Sequence, residues 1–149
     1  MQADELTHVP LFQELIPEHL ELLAPLFRRV TFTAGDEIFA QGDEAQDLYL
    51  LESGEVSVQA TLYDGGHINI NTVQPGGLWG WSAVLGRSHY SASAICRTEA
   101  TALVVRGNEL RKIIQTHTDL GKLLVERMAQ LAANRSDGLH DQVMKMFEM

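Results

Sequence analysis

Two stretches of the chain decide the fold: Ala-Gly-Asp-Glu-Ile-Phe-Ala-Gln-Gly-Asp (residues 34–43) and Leu-Tyr-Leu-Leu-Glu-Ser-Gly-Glu-Val-Ser-Val (residues 48–58). Both combine short runs of β-branched and other apolar residues with glycine. Gly35, Gly42 and Gly54 each fall where one predicted strand gives way to the next, and glycine suits such reversals because it has no side chain to obstruct them. The spacing therefore predicts short strands joined by tight turns.

The same strand-and-turn pattern extends over about residues 28–105. Asp64-Gly65-Gly66 is a hairpin signal, because such turns need residues that tolerate positive φ. Ile68 and Ile70 then alternate with asparagines, which predicts a strand with one wet face. No helix-length segment separates the strands, so an antiparallel sandwich or barrel is favoured over a parallel α/β fold.

Helical periodicity flanks this β region on both sides. Residues up to Phe27 predict short helices, the second of which begins at Pro17, a residue favoured at the first helical position. Helix returns after Gly107, where Asn108 is the expected cap. Thr118 is the expected cap of a longer helix that continues through Asn134 and ends or bends at Gly138.

An apolar stripe runs along one side of the longer helix, and its function has two interpretations. It can pack on the β region, or it can form a dimer seam with a second copy of the chain. The sequence does not decide between these two interpretations, and we expect a homodimer. The residues of the expected seam are Leu120, Leu124, Met128 and Leu131.

Composition limits the classes of protein to which this chain can belong. It has 45% hydrophobic and 21% charged residues, which is typical of a folded cytoplasmic domain, and no leader or membrane-length apolar run is evident. Twenty acidic against 11 basic residues give a net charge of −9, so direct nucleic-acid binding is not expected. The single cysteine, Cys96, lies in a predicted strand and is expected to be a buried thiol.

Signatures of catalysis are missing from the sequence. The six histidines are scattered without metal-ligand spacing, and no nucleophile elbow, Walker loop or Cys-His signature occurs. We therefore expect a non-enzyme with no catalytic residues and no metal site.

The glycine-punctuated stretches, together with Val73-Gln74-Pro75-Gly76-Gly77-Leu78-Trp79-Gly80, closely resemble the cyclic-nucleotide-binding domain of the catabolite activator and fumarate-nitrate regulator type. The resemblance runs from about residue 11 to residue 134. It implies a mainly β double-stranded β-helix (jelly roll) with short N-terminal helices and a long C-terminal helix. We expect residues 1–149 to form one domain, with the β-roll at about 28–105 and helices at about 107–149. We expect no DNA-binding domain, because only about a dozen residues follow Gly138.

The resemblance also locates a cassette, the segment that holds the nucleotide in that family. There, a glutamate after the glycine matching Gly80 holds the ribose, and a later arginine followed by serine or threonine holds the cyclic phosphate. This chain has Trp81 at the glutamate position and Tyr90, followed by Ser91, at the arginine position. It is similar in this respect to a subgroup of relatives with a Gly-Trp-Ser-Ala cassette.

The remaining cassette chemistry leaves several functions open. A buried phosphate needs a paired cation or several aimed donors. The available donors are the backbone amides at the start of the Ser82 helix, and the available substitute cation is Arg87 or His89. The candidate ligand-binding residues are Gly80, Trp81, Ser82, Ala83, Arg87, His89, Tyr90 and Ser91.

We expect a regulatory sensor that binds an altered small ligand and signals through the C-terminal helices of a homodimer. One alternative is a ligand-free interaction scaffold whose pocket is filled by Trp81 and Tyr90. Another is a cAMP or cGMP binder that uses backbone amides and Arg87. No cofactor is certain; a cyclic nucleotide or another small anionic ligand is the candidate, and membrane or direct nucleic-acid partners are not expected.

Overall fold

Eight strands and four α-helices make up residues 1–132, the part of the chain that the computed structural model describes. The mainly antiparallel β-roll with flanking helices confirms the predicted fold class. The predicted end of the last helix at Asn134, its break at Gly138 and the remainder to residue 149 lie outside the described residues. The strands are β1 Phe27–Phe32, β2 Glu37–Phe39, β3 Asp47–Ser53, β4 Val56–Thr61, β5 His67–Val73, β6 Leu78–Trp79, β7 Ser93–Cys96 and β8 Ala100–Arg106.

The helices lie before, within and after the β-roll. They are α1 Pro17–Leu23, α2 Trp81–Leu85, α3 Gly107–Thr116 and α4 Thr118–Ala132, and short 3-10 turns cover Ala3–Leu6, Pro10–Phe12 and Ala24–Leu26. As predicted, Pro17 begins a helix. Phe27, predicted to be helical, is instead the first residue of β1 and pairs with Val105. Asn108 is not the cap of α3, because Arg106 takes that position and the helix begins at Gly107.

The strands form two four-stranded sheets in which every pair is antiparallel. One sheet has the order β1-β8-β3-β6 and the other has the order β2-β7-β4-β5. The β4–β5 hairpin turns at Gly65, which has φ of +86°, so the predicted hairpin is confirmed. Gly54, between β3 and β4, has no room for a side chain because a Cβ there would overlap the carbonyl oxygen of Glu99.

The strand after the hairpin does not have the predicted dry isoleucine face. Ile68 and Ile70 are 52% and 44% exposed. A register shift places Asn71 opposite Val58 and Asn69 opposite Gln59, which leaves Ile70 out of the pairing. Such a bulge inserts one residue and breaks the two-residue alternation on which the prediction rested.

The buried apolar side chains form two separate clusters. The roll cluster fills the space between the sheets, and the helical cluster joins the N-terminal segment and the four helices to the outer side of β3 and β8. The roll cluster is Phe39, Tyr49, Leu51, Val56, Val58, Val73, Trp79, Tyr90, Ala94, Cys96, Ala100, Ala102 and Val104. The helical cluster includes Leu6, Phe12, Leu23, Phe27, Leu48, Leu50, Trp81, Val84, Leu103, Leu110, Leu120, Leu124, Val125 and Met128. Cys96 is buried, as predicted.

The stripe of α4 belongs to this internal packing. Leu120, Leu124 and Met128 are each no more than 1% exposed within a single chain, and Leu131 is partly buried. Three of the four residues of the expected dimer seam therefore pack in the core of their own chain, where α4 lies against α3 and the Pro10–Phe12 turn. Dimerisation itself stays a prediction, and it would need another side of α4.

Candidate functional site

The cassette is built around the short helix α2. Gly80 precedes it with φ of +83°, and Gly86 ends it with φ of +81°. A Cβ on Gly80 would lie 2.7 Å from the carbonyl oxygen of Asp47, so this position requires glycine for space as well as for conformation. The backbone conformation is thus set at both ends of α2, and this sets the directions of the side chains between Gly80 and Gly86.

Trp81 extends from the start of α2 into the helical cluster and is 6% exposed. Its indole Nε1 is buried, and it has no hydrogen-bond partner within the described residues. Trp81 also lines a cavity of about 370 Å³ together with Leu131 of α4, Pro10 and residues 71–78. Trp81 therefore faces the helices, beside a cavity.

Tyr90 lies in the other cluster, inside the β-roll. Its ring stacks on Phe39 with 3.6 Å between centroids and 9° between planes. Its hydroxyl donates to the carbonyl oxygen of Asp47 at 2.6 Å and accepts from the Asp47 N–H at 3.0 Å. Burial raises the pKa of Tyr90, and it raises the pKa of the neighbouring Tyr49 as well. Tyr49 in turn stacks on Trp79 at 4.9 Å, so the arginine position is part of a packed aromatic layer.

The other candidate cassette residues do not converge on one point. Ser82 and Ala83 are buried in α2, whereas Arg87, His89 and Ser91 are exposed on the following loop. Arg87 follows the C-terminal end of α2, the opposite end from Gly80. The structure therefore brings Gly80, Trp81, Ser82 and Ala83 together at the start of α2 and places the three exposed residues in the loop that follows the helix.

Sequence reasoning missed most of the cavity beside Trp81. Asn71, Gln74 and Leu78 come from β5, β6 and their loop, and Pro10 comes from the N-terminal segment. It also missed a buried polar network in which the hydroxyl of Ser57, 0% exposed, lies 2.8 Å from the side-chain amide of Asn69. Only the tertiary fold brings Pro10 to the cavity, so no local signal identifies it, whereas Ser57 and Asn69 lie on the two strands of the predicted hairpin.

The described part of the chain has neither a cluster of metal-ligating side chains nor a membrane-spanning helix. No group of three His, Cys, Asp or Glu side chains in residues 1–132 is placed to hold a metal ion. Within the same residues, every helix is too short or too polar to span a membrane.

Comparison with known proteins identifies the group to which this geometry belongs. The sequence model of the cyclic nucleotide-binding domain matches residues 29–117. The cyclic AMP receptor protein of Thermus thermophilus is 33% identical over 126 residues, which are 81% of this chain and 58% of that protein. Glutaminase 1 of Bradyrhizobium diazoefficiens is 29% identical over 134 residues, which are 90% of this chain but 21% of the enzyme.

A solved structure agrees with these sequence matches. The catabolite activator protein of Thermus thermophilus superposes with a TM-score of 0.70 and 29% identity, covering 92% of this chain and 61% of that chain. This chain spans about three fifths of the length of the first curated relatives that it matches. The matched part therefore corresponds to one domain of those relatives.

Proposed function

The chain belongs to the cyclic nucleotide-binding domain family, and we propose that it is a non-catalytic regulatory module of that family with an altered ligand. In this proposal a small molecule occupies the region of the cassette, and its presence is transmitted to α3 and α4 within a homodimer. The relatives with regulatory names support the general assignment. The altered ligand, the route of the signal and the dimer are our inferences from the geometry.

The altered ligand is inferred from the two positions that lack charge. Trp81 offers one N–H and an apolar face where a carboxylate would accept hydrogen bonds from a ribose. Tyr90 offers a neutral hydroxyl that already donates one hydrogen bond to the backbone of Asp47 and accepts another from it. A cyclic phosphate at this place would find neither a paired cation nor a carboxylate for its sugar, and a buried anion needs such partners.

The observation that carries the proposal is the cavity shared by Trp81 and Leu131. Its volume of about 370 Å³ falls within the range of about 300–1,000 Å³ that small-molecule sites occupy. Its wall combines apolar surface with the polar residues Asn71, Thr72 and Gln74. A ligand there would touch the cassette on one side and α4 on the other. This favours a small molecule that stacks on indole and bonds to amide groups.

Close backbone packing supports a route from the cassette to the last helix. A Cβ on Gly107 of α3 would overlap the carbonyl of Ala83 in α2, and a Cβ on Gly121 of α4 would overlap the carbonyl of Ile114 in α3. Helices that touch at backbone distance cannot shift independently, because protein interiors are close-packed. Displacement of α2 by a ligand would therefore move α3 and α4.

The homodimer in this proposal must form on the partly exposed side of α4. Leu123 and Leu131 lie on that side, eight residues and thus about two turns apart. Light scattering of the purified chain at micromolar concentration is expected to give twice the mass of 16.5 kDa. A mass of one chain would exclude a stable dimer without affecting the ligand proposal.

A ligand-free scaffold is the second candidate, and one observation favours it. The stacked pair Tyr90 and Phe39 fills the interior of the β-roll. The third possibility, a cAMP or cGMP binder that uses backbone amides with Arg87, has less geometric support, because Arg87 lies beyond the far end of α2.

The experiment uses Trp81 as its own reporter. Trp79→Phe leaves Trp81 as the single tryptophan of the chain, and its emission is followed while cAMP, cGMP and a panel of nucleosides, aromatic acids and amides are added. We expect cAMP and cGMP to bind with dissociation constants of about 1 mM or weaker. We expect a response, with a raised melting temperature, to at least one small neutral or aromatic compound.

A matched pair of variants decides where that compound binds. Leu131→Ala is expected to weaken the response because Leu131 lines the cavity, whereas Leu123→Ala on the same helix should leave it unchanged. A flat response across the panel would favour the scaffold. Micromolar binding of cAMP or cGMP that is lost in Arg87→Gln would favour the third possibility.

A further inference from the structure

Large apolar side chains that face solvent are concentrated on the β4–β5 hairpin. Within residues 1–132 there are six such side chains, and four of them lie on this hairpin. Tyr63 in the turn is fully exposed, and Leu62, Ile68 and Ile70 are each more than 40% exposed. Single exposed apolar residues are common on protein surfaces, but a group of them on one element marks an interaction site. The hairpin is therefore a candidate docking surface.

The hairpin is also nearly free of charge. Residues 56–73 contain one carboxylate, that of Asp64, and no Lys or Arg, whereas the whole chain has a net charge of −9. The Asp64 carboxylate accepts a hydrogen bond from the N–H of Gly66 at 2.9 Å and is thus directed at the backbone of the turn. Charged residues are depleted at the centres of protein interfaces. Two acidic copies of this chain therefore repel each other less at this hairpin than at their carboxylate-rich surfaces.

β5 is an edge strand, and it lacks most of the features that protect such edges. The two sheets have four edge strands, β1, β2, β5 and β6. β1 carries Arg28 and Arg29, β2 has three residues and includes Glu37, and β6 has two residues. β5 has seven residues without Lys, Arg, Asp, Glu or Pro, and the bulge at Ile70 is the one protective feature that the described residues give it. Its exposed residues 67–70 therefore present backbone groups with which a further strand can pair.

Hydrogen bonds hold the hairpin in one conformation before any partner binds. The N–H of Leu62 donates to the carbonyl of Gly66 at 2.8 Å, and the N–H of Gly65 donates to the carbonyl of Leu62 at 3.0 Å. At the end of β4, the N–H of Thr61 donates to the side-chain oxygen of Gln41 at 2.8 Å. A surface that is already ordered loses less conformational entropy on association. The hairpin is thus preorganised for docking.

We propose that the β5 edges of two copies of this chain pair antiparallel, with the apolar side chains of the two hairpins packed across a two-fold axis. The partner must offer an unpaired edge, apolar side chains and little negative charge, and the β5 edge of a second copy has all three properties. A two-fold axis brings the same surface of each copy together, so the match is reciprocal. This pairing is separate from the dimer proposed on α4, and either can form without the other.

The area available indicates a weak, concentration-dependent association. A fully exposed aromatic side chain and three half-exposed aliphatic ones on each copy would bury roughly 800 Å² in total. Stable interfaces bury about 1,200 Å² or more. The backbone of the paired strands adds to the side-chain area and supplies hydrogen bonds, but the total stays near the lower end of specific interfaces. We therefore expect self-association between micromolar and millimolar concentration rather than a permanent dimer.

Sedimentation velocity of the full chain across that concentration range tests the pairing. The mass at the highest concentration is expected to be twice the mass at the lowest. Ile68→Lys puts a cation on the edge of both copies, which is how natural edge strands avoid pairing, so it should weaken association about tenfold or more. Leu22→Lys makes the same kind of change at an exposed position of α1 and should weaken it less than about twofold.

Hydrogen exchange separates strand pairing from packing of side chains alone. In the native chain, exchange of the β5 amides should slow as the concentration rises, and in Ile68→Lys it should not. The melting temperature of each variant shows that it is folded.

Three outcomes would overturn the proposal. The first is a mass that stays constant up to millimolar concentration, which would leave the hairpin to a different protein. The second is equal weakening by Leu22→Lys and Ile68→Lys. The third is association that Leu123→Lys abolishes and Ile68→Lys leaves intact, which would support the α4 dimer instead.

Discussion

Trp81 and Tyr90, the two aromatic residues that the resemblance places at the charged positions of a nucleotide cassette, have opposite environments. Tyr90 is a closed site: its ring is stacked on Phe39 and its hydroxyl has two backbone partners. Trp81 is an open site: its Nε1 lacks a partner among the described residues, and a cavity adjoins its ring. One aromatic side chain is therefore fully engaged by its neighbours, whereas the other borders a cavity.

The difference follows from the cluster that each residue joins. Tyr90 enters the roll cluster, whose walls are paired strands with fixed spacing, so the ring fits tightly against its neighbours. Trp81 enters the helical cluster, where the wall opposite it is made of a loop and one side of α4. Four predictions test this contrast.

The largest effect is expected when charge is returned to the closed site. Tyr90→Arg removes the stack on Phe39, removes both hydrogen bonds to Asp47 and places a cation in the roll cluster. An unpaired buried charge commonly destabilises a protein by about 3–5 kcal/mol. Urea denaturation followed by circular dichroism should show this loss in the free energy of unfolding. A loss below about 1 kcal/mol would mean that the site is not closed.

Truncation at the open site should cost nearly as much, but for another reason. Trp81→Ala removes a large buried side chain and enlarges the existing cavity, which typically costs about 3–5 kcal/mol. Trp81→Phe keeps most of the apolar surface and removes an N–H that has no partner, so it should cost less than about 2 kcal/mol. The same urea titrations measure both. Equal losses for the two variants would contradict the open environment.

A smaller effect separates hydrogen bonding from packing at the closed site. Tyr90→Phe keeps the stacked ring but leaves the N–H and the carbonyl of Asp47 without their partner. Leaving buried polar groups unsatisfied costs about 1–3 kcal/mol. The comparison with Trp81→Phe is direct, because each variant removes one polar group from a buried aromatic residue. The contrast fails if Tyr90→Phe is the milder of the two.

The smallest effect is a dependence on alkaline pH. Burial raises the pKa of Tyr90 above the ordinary value of 10.0, and Tyr49 shifts in the same direction. Above about pH 10 the unfolded chain releases protons that the folded chain retains, so stability is complete below that pH and falls as the pH rises, by at most about 1.4 kcal/mol per pH unit for each tyrosine. Unfolding in urea at pH 9 to 11 measures the slope. Tyr90→Phe should make the slope shallower, and an unchanged slope would show that Tyr90 does not contribute.

The sequence predicted the β-roll well because its turns and helix starts depend on residues that are close together in the chain. Turn glycines such as Gly65 and helix starts such as Pro17 act over a few residues, and the structure has them where the pattern predicted. The isoleucine face of β5 was predicted incorrectly because a bulge depends on the partner strand. The cap of α3 was missed because Arg106 already ends β8 when the helix begins.

The site was predictable only as a segment. The resemblance placed Gly80, Trp81 and Tyr90 in one cassette and predicted that Trp81 and Tyr90 stand at positions where that family carries charge. It could not show that the two aromatic residues lie in different clusters, because that depends on how α2 and the segment that follows it pack against the rest of the chain.

The sequence by itself determined the family, the alternation of strands and turns, and the identity of the groups at the cassette, because these depend on residue type and short spacing. Tertiary structure alone decided the environments of those groups. Whether Trp81 adjoins a cavity, whether the hydroxyl of Tyr90 is satisfied and whether the stripe of α4 is available to a second chain all depend on contacts between residues distant in the chain. Such contacts are set by how sheets and helices pack to exclude water, which short-range patterns do not contain.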